Sequence, residues 1–412
     1  MESLITDTST HPVIGVFPNN WEFSRFGREF ERSNERNGDS PIGPMLSVSE
    51  YRGIEVRTNF RDGQLPSEDV SHYRVVRPGQ LVANLMWLDH GGLGVSHFAG
   101  YVSPAYMAFN ISERVAPAFA HHVLRSSVYV DSYKRLGRGV RPNSQMVDSV
   151  DLRQLPFPLP PFETQQRIAD YLDRETAEID AAVADLDRYV ELLEKRKRAT
   201  GLAILEQARH EPTTLMVHLG SLGLFVSGSG FPHRYQGVEG EEFPFYKVGS
   251  LSTADEDGII QDSRHSVSRE VAEELGAKII PAGSVLMAKI GEAMRLCRFV
   301  VTATDCCIDN NMMAIIPRQN NITSDYLRLA LELVTVDVLV NPGPVPSLNV
   351  QGLRMFSIPL PSMGVQKRMT IEWNKETARL DSLIADSTKL RDLLLKRRSV
   401  LITEVVTGRK QV

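Results

Sequence analysis

The chain has little cysteine, no long apolar run and no basic excess, and each shortage removes a class of protein. Three cysteines, Cys297, Cys306 and Cys307, stand among 412 residues. They are too few for a disulfide framework, and two adjacent cysteines do not easily bridge each other, so all three read as core thiols. No stretch approaches the roughly 18 apolar residues of a membrane span, and residues 1–20 lack the basic start and apolar core of a signal peptide. The expected location is the cytoplasm, with no membrane partner. The formal net charge is −5 and the pI is near 6.1, whereas a free-standing nucleic-acid binder usually carries a basic excess. Any DNA contact then runs through local patches or a more basic partner.

Catalytic signatures are missing as well. A phosphate-binding P-loop needs Gly-Lys, a pair that occurs nowhere in the chain. No lysine has an acidic residue two positions before it, the arrangement by which restriction-type nucleases hold a metal. Leu159-Pro160-Pro161-Phe162 resembles the tetrapeptide of amino-group DNA methyltransferases, but that chemistry needs a polar first residue to accept from the target amino group, and Leu159 cannot. The copy at Leu360-Pro361-Ser362-Met363 departs further, so the prolines read as the end of a strand and the launch of a helix. The glycines of residues 91–94 and 228–230 make no dinucleotide fingerprint, and the histidines, His121-His122 included, show no metal-ligand spacing.

What is present is an internal repeat. Pro158-Leu159-Pro160 through Arg196 returns without a gap as Pro359-Leu360-Pro361 through Arg397, a constant offset of 201. Arg167 maps to Arg368, Glu175-Thr176-Ala177 to Glu376-Thr377-Ala378, and Asp180 to Asp381. The chain is therefore two modules in tandem, each a variable region followed by a repeated segment. The repeated segments read as helices. Tyr171, Leu172, Ile179, Val183, Leu186, Val190 and Leu193 form a stripe with the 4-3-4-3 steps of a coiled-coil seam from Ile179 onward, and no Pro or Gly interrupts Phe162 to Thr200. The second copy carries Leu380, Leu383, Ile384, Leu390, Leu393, Leu394 and Leu401 on a similar stripe. Each helix needs a partner, and a compact arrangement pairs them antiparallel with one variable region at each end.

The variable regions mix short apolar runs with turns. Val75 to Ala83 and Ile279 to Met287 each read as strand, Pro-Gly-type turn, strand, and Ala116 to Val130 as a helix. The expected fold is α+β: two mixed α/β domains at 1–155 and 211–357, and repeated helix regions at 156–210 and 358–412, related by a pseudo-two-fold. Two basic features stand out. Lys134, Arg135, Arg138 and Arg141, with Asn143, lie on a stretch read as a glycine-punctuated loop, suited either to a phosphate backbone or simply to solvent. Lys195-Arg196-Lys197-Arg198 and Lys396-Arg397-Arg398 come late in each helix, where cations offset the helix dipole or meet a partner.

On these residues the chain resembles the specificity subunit of type I restriction-modification enzymes. The likeness spans nearly the whole length, through the two copies of Pro-Leu-Pro, Gln-x-Arg and Glu-Thr-Ala-x-x-Asp, the opening Pro18-Asn19-Asn20-Trp21 and the Arg77-Pro78-Gly79-Gln80-Leu81-Val82 turn. The resemblance implies two target recognition domains that each read half of a split duplex-DNA target. It also implies docking of two modification subunits, which hold S-adenosylmethionine and methylate adenine, and recruitment of restriction subunits. This chain would then be non-catalytic and hold no cofactor. The implied docking residues are Gln165, Arg167, Glu175, Gln366, Arg368 and Glu376. In the second, acidic variable region the DNA candidates are Lys289, Arg295, Arg298, Asn310 and Asn311, chosen because Arg reads guanine and Asn reads adenine. The alternatives are a coiled-coil adaptor that binds no DNA and part of a fused DNA methyltransferase.

Overall fold

Two prolines that lack donor N–H groups launch the central helix, Phe162–His210, and the carbonyl of Pro161 takes the N–H groups of Thr164 and Gln165 at 2.8 and 3.0 Å. Pro212 stops it, because the residue before a proline is pushed out of the helical region. The helix runs 49 residues, about 70 Å at ~1.5 Å per residue, and so passes the expected end at Thr200. Gly201 does not break it. A Cβ at that position would lie 2.9 Å from the ring of Trp373, so the glycine makes room for an indole on the C-terminal helix, Met363–Val406.

The computed structural model describes residues 8–11, 15–49, 53–58, 69–138, 146–255, 257–261, 263–291, 293–294, 298–318, 320–331, 333–341 and 346–412. It divides into two units, Met1–Asp185 with Leu390–Val412, and Leu186–Lys389. Among the described residues, no helix is long and apolar enough to cross a membrane.

In the first unit the start of the central helix runs antiparallel to the end of the C-terminal helix. Ile168, Leu172, Ile179, Leu401, Ile402 and Val405 are buried in one core, and Arg398 Nε lies 2.8 Å from Asp180 Oδ1. In the second unit the other halves pair in the same sense, with Lys197 Nζ 2.7 Å from Asp381 Oδ1. Lys197 and Arg398 are repeat mates, as are Asp180 and Asp381, so the two ion pairs are one contact made twice. The seam on the C-terminal helix falls at Leu380, Ile384, Ser387, Arg391, Leu394, Arg398 and Leu401, the mates of the seam on the central helix. Leu390 and Leu393 lie beside it, 49% and 55% exposed, so their expected place on the buried stripe is wrong.

Each variable region closes on itself at the base of its helix. Pro156–Leu159 pairs antiparallel with Glu22–Arg25, and its mate Ser357–Leu360 pairs antiparallel with Leu215–His218. Between those ribbons the first unit holds a four-stranded antiparallel sheet in the order Phe30–Ser33, Tyr106–Ile111, Leu81–Asn84, Leu93–Val95. The second holds a five-stranded mixed sheet in the order Gly223–Ser227, Met312–Pro317, Val285–Ala288, Val300–Thr302, Ile259–Ile260. The turn glycines Gly79 and Gly283 adopt φ of +84° and +79°, which only glycine adopts at no steric cost. The strands around them are not hairpins, however. Arg74–Val76 pairs with Gly100–Val102 rather than with Leu81–Asn84, and Ile280 makes only an isolated bridge to Cys306. The helix expected at Ala116–Val130 is two, Pro117–Arg125 and Ser127–Leu136, broken where Ser126 is extended and its hydroxyl donates to the Val123 carbonyl at 2.7 Å.

Cys306 and Cys307 are buried free thiols; Cys297 lies outside the described residues. Burial pushes the Cys307 thiol up to about 11 and Cys306 higher still. Since the thiolate is the reactive form, neither should be alkylated by iodoacetamide at pH 8 in the native chain, and both should react in denaturant. Peptide mass spectrometry reads this directly, and rapid native modification of either would contradict the burial.

Candidate nucleic-acid interface

The first basic stretch is not one loop. Lys134 and Arg135 sit in the last turn of Ser127–Leu136, where cations suit the helix dipole. Lys134 Nζ lies 3.5 Å from Asp131, and Arg135 donates to the Ser132 hydroxyl at 3.2 Å. Arg138 bridges to Met146 and pairs with Asp151 at 2.7 Å. Arg141 and Asn143 lie outside the described residues. Lys134 also lines a cleft of about 390 Å³ with His90, His121, Arg125, Arg398 and Asp89. Arg125 donates to the carbonyls of Gly91 and Leu93 at 2.8 and 2.5 Å. The imidazole of His121 is held well below its usual range, first by burial and then by the positive charge of Arg125 and its neighbours. The cleft is lined by three cations, Arg125, Lys134 and Arg398, against the single carboxylate of Asp89.

In the second unit the N–H of Lys289 donates to the Asn311 carbonyl at 2.7 Å, and the Lys289 carbonyl accepts from Leu348 at 2.9 Å. Asn310 and Asn311 form the turn before Met312–Pro317, with the Asn311 N–H on Asp309 at 2.8 Å. Lys289 and Asn311 are therefore neighbours. Arg298 faces a different cleft, of about 640 Å³, with Lys195, Lys197, Arg198 and Arg328. Arg295 lies outside the described residues.

The late-helix cations have another explanation than the dipole. The central helix continues twelve residues past Arg198, well beyond the last turn where the dipole acts. Lys197 and Arg398 instead cross to the facing helix, as described above, and Lys195 pairs with Glu191 at 2.5 Å.

The docking residues divide sharply. Gln165 and Gln366 are 1% and 0% exposed, and each spends its amide inside its own unit. Gln165 Nε2 donates to the carbonyls of Arg114 and Pro160 at 3.0 and 2.9 Å, and its Oε1 accepts from Ala116 N–H at 2.9 Å. Gln366 repeats this on Asn321, Pro361 and Thr323, at 3.0, 2.9 and 3.0 Å. Side chains so enclosed and so bonded cannot reach another subunit; they clamp the variable region to its helix. The other four lie nearer solvent. Arg368 pairs with Glu211 at 2.5 Å, Glu175 lies 3.4 Å from Arg174, Arg167 reaches Thr164 at 3.4 Å, and Glu376 is exposed. The clamps were readable as positions from the repeat, but their burial was not. Among the described residues no cluster of His, Cys, Asp or Glu has the geometry to hold a metal ion.

Residues 219–371 match the family model of the type I restriction modification DNA specificity domain. A curated relative from Methanocaldococcus jannaschii, named for the specificity subunit of the type I restriction enzyme MjaX, is 19% identical over 434 residues, covering 97% of this chain and 96% of its own. A solved chain from work on the assembly and conformational transition of the type I R-M system aligns with a TM-score of 0.59 at 17% identity, over 95% of this chain and 99% of that one. The HsdS subunit from Thermoanaerobacter tengcongensis aligns with a TM-score of 0.39 at 17% identity, over 95% and 98%.

Proposed function

We propose that this chain, which belongs to the type I restriction-modification specificity-subunit family, is a non-catalytic scaffold through which such an enzyme reads a two-part target in duplex DNA. One observation carries the reading: two units share a clamp, an ion pair and a closing ribbon at repeat-equivalent positions while folding different sheets between them. A duplicated frame with divergent inserts suits one partner bound twice and two different sequences read once each. In this reading the paired helices dock two modification subunits, which bring S-adenosylmethionine, and restriction subunits bring cleavage. The acidic balance of the chain is then no obstacle, because the partners supply much of the phosphate attraction.

The test is an exchange. Because the second region begins and ends on one ribbon, replacing residues 212–356 by the corresponding segment of a relative should change one half of the methylated target and leave the other. Methylated-adenine sequencing of the reconstituted enzyme reads this, with the chain alone and labelled S-adenosylmethionine as the control. Methyl transfer by the chain alone, or a change in both halves, would overturn the reading.

A further inference from the structure

Among the large apolar side chains that the first variable region exposes, Met86 and Trp87 are adjacent in the chain. Met86 and Trp87 are 47% and 49% exposed, just past the strand Leu81–Asn84. The turn that carries them is stiff. The Trp87 N–H donates to the Asn84 carbonyl at 2.9 Å, and the Trp87 carbonyl accepts from His90 and Gly92 at 3.0 and 2.7 Å. The Asn84 side chain accepts from the Met86 N–H at 3.2 Å. Gly92 is required there, since a Cβ would lie 2.4 Å from the Trp87 oxygen.

Single exposed apolar residues are ordinary, but two further facts separate this pair from the ordinary. Met86 stands seven residues past the turn glycine Gly79. In the second unit Ile290 stands seven past Gly283, two residues beyond the strand Val285–Ala288, and is 36% exposed. Two regions of different sequence thus present an apolar side chain seven residues past the turn glycine, Met86 within a turn and Ile290 in an isolated bridge to Ser347. The turn also borders charge: His90 and Gly91 line the cleft that holds His121, Arg125, Lys134 and Arg398. An apolar tip beside a cationic cleft matches a duplex, whose base edges and thymine methyls are apolar contacts and whose backbone is anionic.

We infer that the Met86–Trp87 turn is the base-contacting tip of the first recognition region, with Ile290 in the same place in the second, each packing against base edges or a base step in duplex DNA. The inference rests on the function proposed above and names the side chains through which each half is read. The cationic cleft takes phosphates, and so positions the tip without adding sequence information.

Trp87 provides its own probe. The chain has three tryptophans, and Trp21 and Trp373 are 8% and 2% exposed, so only Trp87 offers its ring to solvent. With 5-fluorotryptophan in this chain alone, and the modification subunits reconstituted around it, the Trp87 fluorine resonance is assigned by its loss in Trp87→Phe. It should shift and lose its solvent isotope effect when target duplex is added. Trp87→Ala should relax the first half of the target roughly tenfold, the size of one misread base pair in a duplex site, and leave the second half and the salt slope unchanged. Lys134→Ala should do the reverse, flattening the salt slope with the target intact. A resonance that DNA does not move, or an unchanged target in Trp87→Ala, would overturn the inference while the exchange result above still stood. Protection of Trp87 by the modification subunits before DNA is added would assign the tip to protein and overturn it too. An assembled enzyme that binds no DNA would remove both readings.

Discussion

Trp373→Ala should cost the chain about 3–5 kcal/mol, the range for emptying a fully buried aromatic site. The indole is 2% exposed and packs on Gly201 at the point where the two long helices approach within the second unit. Deleting it opens a cavity between rigid helices that cannot collapse easily, and the unfolding midpoint in thermal or urea melts should fall accordingly. The repeat supplies the matched rescue. The mates of Trp373 and Gly201 are Leu172 and Ile402, buried in one core of the first unit, so the same site is filled once by a large and absent pair of side chains and once by two of middling size. Trp373→Leu with Gly201→Ile should therefore recover much of the loss that Trp373→Leu alone incurs, helped by removal of a helical glycine. A melt unchanged by Trp373→Ala would show that the helices do not meet there.

Gln165→Ala and Gln366→Ala should each destabilise by about 2–4 kcal/mol, because each strands two carbonyls and one N–H that its amide now satisfies, at ~1–3 kcal/mol for each buried orphan and less than additively. The charge variants Gln165→Glu and Gln366→Glu should be worse than alanine, since a carboxylate would face two carbonyl oxygens at hydrogen-bond distance in a buried site. The measurement is the melting of the isolated chain. A docking role would give the opposite pattern: unchanged melting of the chain by itself and weaker binding of modification subunits. That outcome would restore these glutamines to a surface.

Much of the frame was legible because repeats and periodicity are local properties of the chain. The offset of 201 located both helices, the 4-3 spacing located the seam on the central helix, and their pairing followed from each helix needing a partner. The failures share a cause. Leu390 and Leu393 read as seam positions because an apolar residue one position away from the seam looks the same in one dimension, yet on a helix that single step turns the side chain about 100° toward solvent. The loop read at Lys134 and Arg135 is the end of a helix, since the glycine that stops it comes only at Gly137. Strand pairing across the Pro-Gly turns failed because a turn decides chain direction and not which distant strand accepts the ladder bonds.

The sequence by itself determined the duplication, the two long helices and the likeness to a specificity subunit, because these depend on residue type and spacing along the chain. Only the tertiary structure decided that Gln165 and Gln366 are internal clamps rather than docking contacts, that Lys197 and Arg398 reach Asp381 and Asp180, and that Met86, Trp87 and Ile290 face water. Each of these depends on which surface a side chain meets after distant segments pack together. Burial is a property of the folded neighbourhood, and no single position in the chain carries it.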